Sequence, residues 1–246
     1  MEMEGREVVL RALVGSWNYN LATPESDKDY KVFITPTFEE LYTGKRYQKD
    51  ILKHPKDGND YSIHDVRKIP DLLFKANLNY MEILSSNELF IADGSPELEK
   101  IVSMKKEIFK MNLPHFFNAC KGMYFNKMKL IYKGTEGTQH LVDEFGFDTK
   151  QAQHAYRGMK VCADFEATNF EDFDGALRYS GEDEEFMRGI KSGELFRADV
   201  FENFAKHYYE SIFIHLAEKY NKQPVNFELK NEIDNLIMSL VKRNMK

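Results

Sequence analysis

The chain has little of what marks several specialised protein classes. It carries two cysteines, Cys120 and Cys162, in 246 residues. They lie far apart and lack metal-ligand spacing, which excludes a disulfide framework and a cysteine-built zinc site. Two reduced, partly buried thiols in a cytoplasmic protein are expected. No apolar run approaches the roughly 20 residues that span a bilayer. The opening Met-Glu-Met-Glu-Gly-Arg-Glu holds no apolar signal segment, so no membrane partner is expected. Basic charge is not in excess either: Lys and Arg number 34 against 40 Asp and Glu, a net charge of −6. A general duplex binder carries a basic surface, so broad nucleic-acid binding is excluded. A local basic channel is not, because totals hide patches. Lysines do gather between Met104 and Lys133, where a solvated helix face explains them equally well. No repeat or low-complexity tract is present. What remains, 42% apolar and 30% charged residues, is an ordinary globular composition with enough chain for one large domain or two small ones.

The first third of the chain reads as mixed α and β. Glu7 to Val14 is strand-like or helical on propensity, and the Gly15-Ser16 that follows favours a strand leading into a turn. Ser16 to Leu21 is a short helix or turn and Pro24 to Ser26 a loop. Strands are expected over Asp29–Ile34, Tyr47–Leu52 and Asp60–Val66, with a helical turn at Phe38–Tyr42 closed by Gly44. Val66 to Ala76 has helical spacing, and Tyr80 to Leu84 reads as a short buried strand. After Gly94-Ser95-Pro96 helical spacing dominates. Helices are expected over Pro96–Phe109, His115–Tyr132, Asp148–Phe165, Asp183–Ser192, Arg197–Tyr220 and Glu228–Lys242, with Gly193 as a C-cap. The expected class is therefore α+β, with a mixed domain over residues 1–95 and an α-helical domain over 96–246.

The chemistry concentrates between Val14 and Phe33. Gly15-Ser16 follows an apolar run, and Asp27 and Asp29 lead into the next. Residues two apart on a strand face the same way, so this pair sets two carboxylates side by side. Such like charges repel unless a cation lies between them. Mg²⁺ prefers carboxylate oxygens and commonly keeps substrate phosphates as further ligands. Gly15 and Ser16 at a strand-to-helix turn supply a matching phosphate cradle of backbone N–H groups. A turn aspartate followed by a solvated strand-end aspartate is the plainer account of the pair. For a third carboxylate two positions compete. Asp60 opens a strand, and Glu82 lies between apolar residues, where burial is costly without a partner or a metal. Further along, Lys150, His154 and Arg157 stand at i, i+4 and i+7 and share one helical face. They match a triphosphate, with Arg157 as a fork and Lys150 as a point charge, or a plain solvated face. Asp148 suits the N-cap of that helix. Trp17, Tyr19 and Tyr30 flank the motif and either stack on a nucleobase or, the commoner outcome, pack in the core; His64, Phe201, Phe204, Tyr208 and Phe213 read as packing residues.

The pattern Gly15-Ser16…Ser26-Asp27-x-Asp29 resembles the signature of the DNA polymerase β nucleotidyltransferase superfamily. Gly-Ser-x-x-Tyr-x-Leu-x-Thr-Pro-x-Ser-Asp-x-Asp-Tyr is similar to one family within it, the predicted nucleotidyltransferases associated with bacterial and phage RNA repair. Asp60–Lys68 followed by Asn77-x-Asn79-x-x-Glu82-x-Leu84, Phe147–Arg157 and Gly189–Glu194 resemble further blocks of that family, in order, across roughly residues 10 to 215. Two positions depart from it. Asn20 stands where the family has Gly, and Ala76-Asn77-Leu78-Asn79 replaces Gly-Asn-Pro-Asn. The resemblance implies a polymerase-β-like mixed sheet and a third carboxylate, Asp60 or Glu82, joining Asp27 and Asp29 around two Mg²⁺ or Mn²⁺ ions. It implies transfer of a nucleoside monophosphate from an NTP to an acceptor, an RNA end, a protein side chain or a small molecule, with release of pyrophosphate. Gly15, Ser16, Lys150, His154 and Arg157 are the expected nucleotide-binding residues. The alternative is a regulatory or interaction module that binds a nucleotide without turning it over.

Overall fold

A computed structural model describes residues 2, 3, 5–24 and 26–245. The chain forms two compact units, residues 1–112 with 225–246, and residues 113–224.

The first unit is built on a mixed sheet. Its strands are β1 (Glu2–Met3), β2 (Arg6–Val14), β3 (Asp29–Ile34), β4 (Gln48–Ile51), β5 (Asp60–Asp65) and β6 (Leu89–Ile91), with α1 (Phe38–Thr43) between β3 and β4. The order is β1-β2-β3-β5-β4, and β6 pairs with β2. β3 and β5 run parallel, and the other pairs among the described residues run antiparallel. Alternation sorts the side chains of β3 and β5. Tyr30, Val32, Ile34, Tyr61 and Ile63 enter one core with Val8 and Leu13, and the Tyr30 and Tyr61 rings stack at 5.5 Å. Asp29, Lys31, Phe33, Asp60, Ser62 and His64 take the opposite parity. There Phe33 and His64 meet at 5.5 Å, and the Tyr80 ring closes on His64 at 5.7 Å.

Helices α2 (Ile69–Phe74), α3 (Leu78–Met81), α4 (Pro96–Ser103) and α5 (Lys105–Lys110) follow. Residues 80–84 correct the expectation of a strand: α3 runs into a 3-10 turn over Glu82–Ser85. The Asn77 side chain accepts from the Asn79 N–H and starts that helix, and a five-residue apolar run carries no period that could have revealed it. Ala76, in place of the family's glycine, sits at φ +44°. Asn20, the other departure, takes φ +64°, a region asparagine enters more readily than most residues.

The second unit is helical: α6 (Leu113–Met128), α7 (Gln139–Phe145), α8 (Thr149–Ala167), α9 (Phe173–Leu177), α10 (Gly181–Ser192), α11 (Ala198–Ser211) and α12 (Ala217–Asn221). α8 is its axis and buries Ala152, Ala155, Met159, Val161 and Phe165. The single helix expected over 197–220 is broken at Ile212, where a 3-10 turn turns Phe213 inward to stack on Phe117 at 4.7 Å. Cys120 and Cys162 are both buried and unbridged. Burial pushes the Cys162 thiol up, and neighbouring Cys120 adds to the effect. The last helix, α13 (Phe227–Asn244), returns to the first unit and buries Leu229, Ile233, Ile237 and Leu240. It packs on α2 and α4, with Lys230 3.6 Å from Asp71 and Arg243 2.8 Å from Glu97. Among the described residues no helix is long and apolar enough to cross a membrane. The observed class is α+β.

Candidate active site

The end of β2 makes a turn that only glycine accommodates. Gly15 has φ +74°, and a Cβ there would lie 2.7 Å from Asp29 Oδ2. The Gly15 N–H donates to Glu82 Oε2 at 3.0 Å, so the glycine is held between two carboxylates. A 3-10 turn, Gly15–Trp17, follows, with Ser16 partly buried within it. Its carbonyls are used at once: Gly15 O accepts from Asn18 N at 2.9 Å and Ser16 O from Leu21 N at 2.9 Å. Buried Asn18 ties the turn to the segment after α3. It donates to Glu82 O at 3.3 Å and accepts from Asn87 N at 3.1 Å. Trp17 Nε1 donates to Ser26 O at 3.1 Å and closes the loop back toward the aspartates.

Asp29 opens β3. It pairs with Val14 on one side and, in parallel register, with Asp60 on the other. Equal parity therefore brings Asp29 and Asp60 to one face and one end of two adjacent strands. Asp27 lies two residues before the strand, exposed; among the described residues it makes no hydrogen bond or ion pair. Asp60 is partly engaged: its Oδ1 accepts the Lys53 N–H at 2.7 Å, where Lys53 itself bends at φ +48°. That contact across the β4–β5 turn has no signature in the sequence. Glu82 is 2% exposed and stands on the 3-10 turn, not on a strand. Among the described residues, no three His, Cys, Asp or Glu side chains converge as a ready-made metal cage. The residues expected as metal ligands, Asp27, Asp29 and Asp60, offer carboxylate oxygens alone, a donor chemistry that suits a hard divalent cation.

His64 lies on the Asp60 face and is 1% exposed. Burial, then Lys31 and Lys68, lower its pKa to about 4. Its Nε2 lies 3.0 Å from Ser62 Oγ, and it packs as a neutral ring. Tyr19 and Tyr30 are core residues, at 4% and 6% exposure. Beyond the cradle, Lys28 pairs with Glu88 at 2.6 Å, and Tyr30 Oη donates to the same carboxylate at 2.8 Å.

Lys150, His154 and Arg157 belong to α8 of the helical unit. Lys150 is exposed, His154 partly buried and Arg157 2% exposed. Asp148 caps this helix, accepting from Gln151 N at 3.0 Å.

Among curated proteins none matches this chain. The profile of the family described as the RNA repair pathway DNA polymerase beta family, RlaP, matches residues 1–165 and takes in the Gly15 turn, both strand-end aspartates, Glu82 and most of α8. The chain is a member of that family.

Proposed function

We propose that the chain is a metal-dependent nucleotidyltransferase that moves a nucleoside monophosphate from an NTP to an acceptor. The observation that carries this reading is the register of Asp29 with Asp60 beside a glycine whose missing Cβ makes room for the Asp29 carboxylate. Asp27, Asp29 and Asp60 would hold Mg²⁺ or Mn²⁺, whose charge, once bound, stabilises an in-line displacement at phosphorus. With the Gly15 N–H taken by Glu82, Ser16 in the turn that Gly15 opens receives the triphosphate. An acceptor oxygen forms a bond to the α-phosphorus and the bond to the α–β bridging oxygen breaks. Pyrophosphate leaves with that electron pair, and the acceptor proton passes to water. Glu82, spent on the Gly15 N–H, holds the turn in place, and Asp60 is the third ligand. The family description favours an RNA end as acceptor over a protein side chain or a small molecule.

A second reading, a nucleotide-binding module without turnover, draws on the Lys53 N–H already bound to Asp60. One experiment separates the two. The protein is incubated with α-labelled NTPs, Mg²⁺ or Mn²⁺, and pooled RNA and protein acceptors. Label transfer with pyrophosphate release is expected from wild type, and its loss from Asp29→Asn and Asp27→Asn. NTP binding without pyrophosphate release would favour the binding module, and full turnover in Asp29→Asn would remove the catalytic assignment.

A further inference from the structure

The helical unit gathers positive charge from three helices at one place. Lys150, His154 and Arg157 share a face of α8 by their spacing. α6 packs against α8 with Met123 Sδ 3.1 Å from where a Cβ on Gly158 would lie. The N–H of Asp148 donates to Ile131 O at 2.6 Å, so the start of α8 lies beside the end of α6 and the two helices run antiparallel. One turn along from the Met123–Gly158 contact, Lys127 of α6 falls opposite His154. α10 is pinned to the other flank. Gln153 Nε2 donates to Met187 O at 2.9 Å and Thr149 Oγ1 to Lys191 O at 2.7 Å, which sets Lys191 beside the first turn of α8.

Burial above all, and then Arg157, Lys127, Lys150 and Lys191, hold the His154 pKa well below the usual histidine range. Lys127 is lowered too, by burial and then by Arg157 and Lys150. Asp148, whose Oδ1 caps α8, acts on Lys127 in the opposite sense. Among the described residues the side chains of Lys127, Lys150 and His154 make no hydrogen bond or ion pair. Cations from three helices thus surround one imidazole, and the ammonium groups of Lys127 and Lys150 repel the others there with no ion-pair partner of their own among the described residues, in a chain whose net charge is −6. Mutual repulsion of that kind is relieved by a multiply charged anion. An Arg fork with several point-charge lysines matches the oxygens of phosphate groups.

We infer that Lys127, Lys150, His154, Arg157 and Lys191 form a phosphoanion site within the helical unit, for the polyphosphate of a nucleotide or the terminal phosphate of an RNA. The site needs no metal and does not rest on the reaction proposed above. Full-length protein is titrated calorimetrically with inorganic tripolyphosphate in excess chelator, which silences any metal-dependent phosphate binding at the aspartates. Lys127→Gln and Lys150→Gln, neither of them a core residue, should each weaken binding by roughly tenfold, the value of one charge-assisted contact, with melting temperature unchanged. Arg157→Ala should do the same or more, but its burial makes the two lysine variants the deciding ones. Absence of binding at millimolar tripolyphosphate, or equal affinity in wild type and both lysine variants, would overturn the site. The source of the phosphate is read by two further ligands. Tighter binding of a 5′-phosphorylated oligoribonucleotide than of its 5′-hydroxyl twin assigns an RNA terminus, and tighter binding of an NTP than of its nucleoside, with the two oligoribonucleotides equal, assigns a nucleotide.

Discussion

At the scale of single residues, Gly15 carries the most geometric information. Its position combines a left-handed backbone with an approach to Asp29 that leaves no room for a methyl group. Gly15→Ala should cost about 1–2 kcal/mol for the left-handed backbone and push the Asp29 carboxylate away. Transfer activity should then fall far more than stability, which thermal melts and label transfer on one preparation will compare. Asp60 and Glu82 differ in kind. Asp60→Asn should abolish transfer with little change in melting. Glu82→Gln leaves a neutral group beside the Gly15 N–H and should lower stability by about 1–3 kcal/mol, with partial activity retained. The reverse pattern would exchange their roles. His64 makes a pH prediction. Its folded pKa of about 4 lies below the ordinary 6.5, so the unfolded chain binds more protons in that window. His64 therefore costs nothing above pH 6.5, and stability drains away as pH falls from 6.5 toward 4, by about 3 kcal/mol in all. Denaturant titrations across that range should show a shallower pH dependence in His64→Phe than in wild type.

At the scale of elements, local signals sufficed where the chain punctuates itself. α1 starts at Thr37, whose Oγ1 accepts the Glu40 N–H at 3.2 Å while Glu40 Oε2 accepts the Thr37 N–H at 3.0 Å, and it ends at left-handed Gly44. Thr37→Ala should cost about 1 kcal/mol, read from a chemical-denaturation midpoint. β3 is legible for the same reason, its alternation running from Asp29 to Ile34 as the sequence shows. The elements misread are those in which packing overrides the local pattern. Residues 80–84 turn into a helix behind the Asn77 cap. The helix expected over 96–109 divides at Met104 into α4 and α5. β6, α7 and α9 are too short for any period to announce them.

At the scale of the molecule, the chain closes its first unit with its last helix. α13 buries Leu229, Ile233, Ile237 and Leu240 on α2 and α4. Burial of four large aliphatic side chains contributes on the order of 6–12 kcal/mol before ordering costs, the size of a whole domain's net stability. A chain ending at Pro224 should therefore lose the cooperative unfolding transition of this unit, whereas charge reversal at Arg243, a half-exposed partner of Glu97, should shift it only slightly. Retention of that transition in the truncated chain would show that the sheet is stable without α13. The helical region expected from residue 96 onward is shared between the two units, α4, α5 and α13 in the first and α6 to α12 in the second.

The residue order alone determined the fold class, the strands on either side of the Gly-Ser turn, Asp29 at the start of β3 and the common face of Lys150, His154 and Arg157, whereas Asp27, expected beside Asp29 on a strand, lies before it. Each of these follows from short-range spacing, which period 2, period 3.6 and turn chemistry express directly. Tertiary structure alone decided that Asp60 stands level with Asp29, that Glu82 is bonded to Gly15, and that Lys127 and Lys191 join the α8 cations. Those relations depend on strand register, on side-chain hydrogen bonds spanning dozens of residues, and on which helix faces pack together. They are set by the burial of a whole core, and no local spacing encodes them.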